Sequence, residues 1–281
     1  YDAMALDRIG YDALCLGNHD FDFGPAVLAD FIESYELTTP PYLSANLDFS
    51  TEPELAGLAA AGRILPSTVL NVEGEQVAVI GLTTPLLNGI SSPGLVGINS
   101  DIVGVVQTEV DAYEAAGINK IIVISHLQSV TNDMELAGAL TGVDLIIAGG
   151  GDQLLTNSLY DTDYDVYGSY PLATTDADGG PAYVVTTIGN YRFLGSRKMT
   201  LDAAGHVTSI HSDESDVIQV DTSEGAASDA DMYTSVVAPL EAALSQTQVI
   251  ATTEIDFDVR KPIIRSRETG IGNIIADSYL S

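Results

Sequence analysis

The sequence predicts an α/β fold with mixed β-sheet layers covered by helices, and a helical linker to the start of a second α/β domain. Short apolar runs alternate with longer amphipathic stretches, in the strand–helix–strand order of βαβ units. Two β-branched runs, 68–72 and 76–82, flank the turn Glu73-Gly74-Glu75, which predicts a hairpin and hence a mixed sheet. The 281 residues are 46% hydrophobic, enough for one large core and part of another.

The predicted elements of the first half are short and closely spaced. Residues 13–16 form an apolar run that predicts a buried strand ending at Gly17. Gly24-Pro25 opens a helix that reaches about Tyr35, because proline suits the first turn of a helix. Residues 42–47 predict a second strand, and 101–116 a helix that ends at Gly117.

The second half continues the alternation and then becomes irregular. Strands are predicted at 120–125 and 144–148 on either side of a helix at 132–140, with later strands at 182–187 and 197–201. Residues 158–181 are rich in Asp, Tyr and Gly and predict a long loop. We therefore divide the chain into a main domain at 1–222, a linker with a helix at 223–248, and the start of another domain at 249–281.

The charge of the chain excludes several classes of partner. The formal net charge is −30, from 40 acidic and 10 basic residues. Nucleic acids and anionic membranes both attract basic surfaces, so neither is an expected partner. No apolar run approaches the roughly 20 residues of a membrane span.

Four polar side chains follow directly on the first predicted strand, in Gly17-Asn18-His19-Asp20-Phe21-Asp22. Ligands collect at the ends of strands in α/β sheets. Asn18 can offer a carbonyl oxygen to a metal, His19 can bind a metal or act as a general acid, and Asp22 can orient the imidazole. The alternative is a polar turn whose Asn and Asp cap the next helix.

Two later strands end in the same way. Ser125-His126 closes the strand at 120–125, and Gly149-Gly150-Gly151-Asp152 closes the strand at 144–148. A single histidine at a strand end is commonly structural, and three glycines also suit a turn without a ligand. Taken together, three strand ends of this kind would point polar groups toward one rim, which favours a metal-assisted hydrolase.

These motifs resemble those of a known family. Gly17-Asn18-His19-Asp20 is similar to the Gly-Asn-His-Asp/Glu signature of calcineurin-like metallophosphatases, and Phe21-Asp22 points to their 5′-nucleotidase branch. Ser125-His126-Leu127 resembles the Ser-His-Leu metal motif of that family. Further matching segments are Leu43–Asn46, Val79–Pro85 and Arg265–Asp277, the last resembling the opening of the family's nucleotide-binding domain.

The resemblance implies a four-layer metallophosphoesterase domain that hydrolyses phosphate monoesters, most of all nucleotides, with two divalent metal ions (Ca, Mg, Mn or Zn). Asn18 and His126 would bind one metal, Asp152 would be a further metal ligand, and His19 oriented by Asp22 would be catalytic. Arg265 and Asn273 would bind the substrate. The resemblance and the acidity together predict an extracytoplasmic protein, either periplasmic or secreted.

The sequence departs from the family pattern in two places. The Asp-x-His motif and the bridging Asp of the first strands are absent and would precede Tyr1, so we expect an N-terminally truncated chain. Where relatives carry Gly-His-x-His or Gly-His-x-Asn/Gln, this chain has Gly150 and Asp152. Asp152 favours a harder metal than zinc. Gly150 cannot bind a metal, so a degenerate, non-catalytic binding domain remains the alternative function.

Overall fold

The computed structural model describes residues 1–159, 165–220, 228–245, 256–258, 263, 267–273 and 275. The chain divides into two compact units, 1–236 and 237–281. This division lies inside the stretch 223–248 that the sequence suggests as a linker, and the domain boundaries at 222 and 248 stay predictions. The second unit contains helix α8 (Ala238–Leu244) among its described residues. All other helices and strands named below belong to the first unit, and the π-helical turn at Tyr233–Val237 includes residues on both sides of the division.

The helices of the first unit are short and lie between strands, as the βαβ pattern predicts. Pro25 and Pro53 occupy first-turn positions, where the missing N–H costs no hydrogen bond. The helices are α1 (Asp2–Ile9), α2 (Pro25–Glu33), α3 (Pro53–Ala60), α4 (Leu87–Ile90), α5 (Ile102–Ala115), α6 (Val130–Ala139) and α7 (Ala230–Met232). Short 3-10 turns cover His19–Phe21 and Ser212–Glu214, and a π-helical turn covers Tyr233–Val237.

Seventeen strands are described, many of them only two residues long. They are β1 (Leu14–Cys15), β2 (Tyr42–Leu43), β3 (Leu47–Asp48), β4 (Ile64–Leu65), β5 (Ser67–Val72), β6 (Glu75–Thr83), β7 (Gly97–Ile98), β8 (Ile121–His126), β9 (Leu145–Gly149), β10 (Leu154–Leu155), β11 (Val166–Gly168), β12 (Leu172–Thr175), β13 (Pro181–Val185), β14 (Phe193–Ser196), β15 (Met199–Leu201), β16 (Val207–Ile210) and β17 (Asp216–Gln219).

The central sheet is mixed, as the hairpin in the sequence predicts. Its strand order is β12-β13-β9-β8-β6-β5, in which β13, β9, β8 and β6 are parallel and the two edge strands are antiparallel. Helices α5 and α6 cover one face, where Val106, Val110 and Leu136 pack against Ile80 and Val123. The predicted α/β class with helix-covered mixed sheets is therefore confirmed.

A small parallel sheet of order β1-β2-β4 meets the central sheet at β6. Gly81 makes this approach possible, because a Cβ there would lie 2.3 Å from the carbonyl carbon of Leu43. Thr83 Oγ1 donates a hydrogen bond of 2.8 Å to the carbonyl oxygen of Leu16, just after β1. The carboxyl ends of β1, β6 and β8 are thereby held close together, and the candidate site lies there.

Two sequence-based expectations are wrong in detail. The predicted strand at 42–47 is two strands, since Asn46 is buried and its amide donates to the carbonyl oxygen of Thr83 at 2.8 Å, which turns the chain toward β7. The predicted loop at 158–181 contains β11 and β12, and β12 pairs with β13 across a turn at 176–180.

Candidate metal and catalytic site

The loop after β1 is anchored at its first residues. The N–H of Leu16 donates to the carbonyl oxygen of Leu43 at 3.2 Å, in continuation of the parallel pairing between β1 and β2. The N–H of Gly17 donates to Oδ2 of Asp20 at 2.7 Å, which closes the loop on itself. Burial raises the pKa of Asp20 above its usual range. The carboxylate of Asp20 therefore holds the loop closed through its hydrogen bond with the N–H of Gly17.

Asn18 is turned into the protein, with only 4% of its surface exposed. Its Oδ1 lies 2.9 Å from Nε2 of His126 and accepts a hydrogen bond of 2.5 Å from Nε2 of Gln128. Asn18 precedes the 3-10 turn at His19–Phe21, but its side chain makes no capping hydrogen bond. The interpretation of Asn18 as a helix cap is therefore wrong, and the residue pairs with His126 across 108 positions of sequence.

The imidazole of His126 is held between two glycines. A Cβ at Gly17 would lie 2.6 Å from Cε1 of the ring, and a Cβ at Gly150 would lie 2.8 Å from Nε2. Gly150 also has φ of +81°, a conformation that side-chain-bearing residues rarely adopt. Burial lowers the pKa of His126, with a smaller contribution from the charge of His19. A lowered pKa favours the neutral ring, which is the form in which histidine binds metals.

The donor set fits a divalent metal. An amide oxygen and an imidazole nitrogen converge within 2.9 Å, and both types of atom bind first-row divalent ions. The space beside the ring is kept free by the two glycines rather than filled by side chains. Asn18 and His126 are thus brought together as the sequence predicts.

His19 and Asp22 form a pair at the surface of the same loop. Nδ1 of His19 lies 2.6 Å from Oδ2 of Asp22, and the hydroxyl of Ser91 donates to Oδ1 of Asp22 at 2.9 Å. The hydrogen bond from His19 lowers the pKa of Asp22, and the Ser91 bond acts in the same direction. The His19 side chain is 77% exposed, so its second nitrogen is accessible from solvent.

A cavity of about 550 Å³ is lined by both His126 and His19. Its lining includes Gly17, His19 and His126 together with the apolar or aromatic residues Leu6, Phe31 and Tyr191. A cavity lined by both polar and aromatic side chains suits a ligand that has a charged group and a flat, apolar body.

Three further residues are predicted site residues: Asp152, Asn273 and Arg265. Asp152 is exposed after β9, and its Oδ1 lies 4.0 Å from the position of a Cβ at Gly189. Asn273 is exposed in the second unit, where its amide donates to Oε1 of Glu268 at 2.9 Å. Arg265 lies outside the described residues. Binding of metal by Asp152 and of substrate by Asn273 and Arg265 stays a prediction.

Three polar residues at the site were not predicted from sequence. Gln128 follows His126 by two positions, so its place after a ligand-bearing strand was the available signal. Asp133 is fully buried on the inner side of α6 and accepts a hydrogen bond from the hydroxyl of Ser125, beside His126. The sequence feature that could have pointed to Asp133 is an acidic residue on the apolar face of a predicted helix. Ser91 is 69 residues from Asp22, and nothing in the sequence around it points to its contact with Asp22.

Asp133 carries a buried carboxyl group that is only half satisfied. Within the part of the chain that the structure describes, its Oδ2 has no hydrogen-bond partner. Burial raises the pKa of Asp133 to about 6, although the hydrogen bond from Ser125 acts against this rise. Asp133 fixes the end of β8 and thereby the position from which His126 projects.

A second group of metal-binding side chains lies elsewhere on the first unit. Ligand atoms of His211, Asp213 and Glu214 lie within 4.8 Å of one another. However, Oε2 of Glu214 is paired with Nζ of Lys198 at 2.6 Å, and Nε2 of His211 is 2.8 Å from Oγ1 of Thr200. These groups are engaged with protein partners, and the sequence assigns them no role.

The described residues include no helix that is long and apolar enough to cross a lipid bilayer.

Comparison with known proteins gives consistent matches along the whole chain. A trifunctional nucleotide phosphoesterase protein of Bacillus subtilis is 32% identical over 309 residues, which cover 100% of this chain and 20% of that protein. The mouse (Mus musculus) 5′-nucleotidase is 30% identical over 280 residues, which cover 99% of this chain and 47% of that protein. No protein-family model matches the chain.

The fold agrees with these matches. The crystal structure of a 5′-nucleotidase precursor from Thermus thermophilus superposes with a TM-score of 0.83 at 33% identity, over 98% of this chain and 52% of the other. The chain spans about half the length of the curated 5′-nucleotidases that it matches. The resemblance seen in the sequence motifs is thus confirmed in sequence and in structure, and the chain belongs to the 5′-nucleotidase family of metallophosphoesterases.

Proposed function

We propose that the protein hydrolyses phosphate monoesters of nucleotides in a metal-dependent reaction. The observation that supports this most is the approach of Asn18 Oδ1 to His126 Nε2 at 2.9 Å, beside a cavity that His126 and His19 both line. The imidazole that would bind a metal and the imidazole that would act as the general acid then border the same space. Relatives named as 5′-nucleotidases support the choice of substrate.

Asn18 and His126 would hold one of two divalent metal ions. Such ions, when bound, lower the pKa of water and neutralise charge on phosphoryl oxygens. We expect Asp152 to favour a hard ion such as Mg²⁺, Ca²⁺ or Mn²⁺, because carboxylates suit these ions better than imidazole-preferring zinc. Elemental analysis of the purified protein tests this, and stoichiometric zinc without the other three metals would reject it.

His19 would serve the leaving group. Asp22 holds Nδ1 at 2.6 Å, so Nε2 is the nitrogen that faces substrate. From there the imidazole can donate a proton to the leaving oxygen or a hydrogen bond to the transition state, a contribution typically of ~10²–10⁴-fold. Arg265 and Asn273 would bind the nucleotide, the guanidinium of Arg265 through its phosphate oxygens.

The experiment is phosphate release from AMP and p-nitrophenyl phosphate by the protein at its full natural length, with and without EDTA. Metal-dependent release is expected, with loss of turnover far greater than loss of binding in His19→Ala. His211→Ala is the matched control, because His211 is engaged with Thr200 and does not line the cavity. A bis-ester substrate distinguishes a diesterase from a monoesterase.

The alternative function is ligand binding without catalysis, and Gly150 is the observation that favours it, since glycine offers no side chain to a metal. Absence of phosphate release with Mg²⁺, Mn²⁺, Ca²⁺ or Zn²⁺, together with retained binding of AMP by calorimetry, would establish it. We also propose an extracytoplasmic location, periplasmic or secreted, which cell fractionation with an antibody against the chain would test.

A further inference from the structure

Gln128 lies at the metal-binding pair, although no motif points to it. It follows β8 by two residues, and its Nε2 donates at 2.5 Å to Oδ1 of Asn18. The same oxygen lies 2.9 Å from Nε2 of His126. The carboxamide of Gln128 is therefore the third polar group around one point, and it contacts the oxygen that would bind the metal.

The backbone of Gln128 is in an unfavourable conformation. Its φ is +74°, in the left-handed region, which costs residues with a Cβ roughly 1–2 kcal/mol relative to glycine. Glycine at this position would avoid the cost but would remove the carboxamide. Strain of this kind is concentrated at functional sites, where the side chain itself is needed.

Gly150 borders the same space. A Cβ at Gly150 would lie 2.8 Å from Nε2 of His126 and 3.1 Å from the backbone nitrogen of Gln128. The resemblance places a metal-binding histidine at this position, and glycine cannot supply one. Around His126, the chain therefore lacks a ligand at 150 and presents an additional amide at 128.

We propose that the Gln128 carboxamide is a further ligand of the metal held by Asn18 and His126, and that it replaces the side chain missing at Gly150. This rests on the proposed metal-dependent function. Rotation of the terminal amide by half a turn exchanges Nε2 for Oε1, and the oxygen is a ligand for hard divalent ions. Two amide oxygens and one imidazole make a neutral set that favours Mn²⁺ or Mg²⁺ over zinc.

The test measures Mn²⁺ binding rather than activity, by electron paramagnetic resonance of free Mn²⁺ and by calorimetry on the protein at its full natural length. Gln128→Gly removes the carboxamide and relieves the positive φ, so the variant is expected to unfold at the same or a higher temperature than the wild type. Its dissociation constant for Mn²⁺ is expected to rise by about 10-fold or more. Gln128→Glu is expected to bind Mn²⁺ more tightly than the wild type.

Glu73→Gly is the matched control, because Glu73 also has a positive φ, of +54°, in the turn between β5 and β6. It should leave Mn²⁺ binding unchanged. Wild-type affinity in Gln128→Gly would overturn the assignment of Gln128 while leaving the metal site intact. If the wild-type protein at its full natural length binds no Mn²⁺ at all, the proposed metal site fails, and the role of Gln128 fails with it.

Discussion

Ser91 donates a hydrogen bond of 2.9 Å to Oδ1 of Asp22, whose other oxygen lies 2.6 Å from Nδ1 of His19. The carboxylate is therefore held on both sides, and its pKa is lowered first by His19 and also by Ser91. The segment that carries Ser91 is itself anchored, since the N–H of Leu95 donates to the buried carboxylate of Glu52 at 2.7 Å. The orientation of His19 thus depends on residues from two distant parts of the chain.

The first prediction concerns this chain of contacts. Ser91→Ala should lower kcat by roughly 10–150-fold with little change in KM, because one hydrogen bond to a charged group contributes about 1.5–3 kcal/mol. Asp22→Ala should lower kcat further, since the imidazole then loses its direct partner. Steady-state kinetics on AMP measures both.

Ser92→Ala is the control, because Ser92 is exposed and adjacent. Ser91→Thr keeps a hydroxyl and should recover most of the lost turnover. If Ser91→Ala and Ser92→Ala have the same kcat as the wild type, Ser91 does not position the pair.

The second prediction concerns the fit of His126 against Gly17. In Gly17→Ala the new Cβ would lie 2.6 Å from Cε1 of the ring, so the imidazole must shift from the position in which its Nε2 lies 2.9 Å from Asn18 Oδ1. Metal affinity should fall by about 10-fold or more, and overpacking should cost roughly 1–3 kcal/mol of stability. Calorimetry with Mn²⁺ and urea unfolding provide the two measurements.

Gly57→Ala serves as the control for the same chemical change. Gly57 lies within α3, and a Cβ there meets no atom within 4 Å. This variant should gain up to about 1 kcal/mol from helix propensity and bind metal normally. Equal metal binding by Gly17→Ala and the wild type would show that His126 does not need its present position.

How much of this site the sequence could predict depends on the distance between the partners. Asn18, His19 and Asp22 lie within five positions, so the spacing alone suggested a His–Asp pair and a nearby ligand. The pairing of Asn18 with His126 was expected from the common edge of parallel strands. Ser91 could not be predicted, because its contact with Asp22 depends on how a loop 69 residues away packs.

The fold was predictable where apolar runs are long and was missed where they are short. Strands β6, β8 and β9 lie within one residue of their expected positions, because each is an uninterrupted apolar run. Helix α3 was not predicted, since its run of alanine and glycine gives little periodicity, although Pro53 at its start was a usable signal. β12 was hidden by the Asp- and Gly-rich turn that joins it to β13.

The third prediction concerns stability in acid and the carboxylate of Asp7. Its oxygens accept hydrogen bonds of 2.7–2.8 Å from the N–H groups of Glu36, Leu37 and Thr38. Burial raises the pKa of Asp7, but these bonds together outweigh burial and lower it to about 2. Because the pKa is lowered on folding, Asp7 stabilises the protein above about pH 4, and this stabilisation is lost as the pH falls toward 2.

Asp7→Asn should therefore cost about 2–3 kcal/mol at pH 7 and less at pH 3, as measured by urea unfolding. Asp12→Asn, at an exposed aspartate nearby in sequence, should change stability little at either pH. A cost for Asp7→Asn that is the same at pH 7 and pH 3 would show that the charge of Asp7 does not contribute.

The fourth prediction concerns Asp144, at the start of β9, whose Oδ2 accepts a hydrogen bond of 2.9 Å from the N–H of Ile121. Burial raises the pKa of Asp144 to about 7, although this bond and the charges of His206 and Lys120 oppose the rise. The folded chain then keeps a proton that the unfolded chain releases near pH 4. The contribution of Asp144 to the free energy of unfolding should therefore fall as the pH rises from about 4 to 7, and stay constant above pH 7.

In Asp144→Asn the side chain is neutral at every pH, and its amide oxygen can still accept from Ile121. The variant should exceed the wild type in stability by about 1–3 kcal/mol at pH 8 and show little difference at pH 4, because each unit of pKa shift corresponds to about 1.4 kcal/mol. Urea unfolding across this range measures the difference, with the exposed Asp178→Asn as the control. A variant less stable than the wild type at pH 8 would mean that the ionised carboxylate, through Ile121, Lys120 and His206, stabilises the fold.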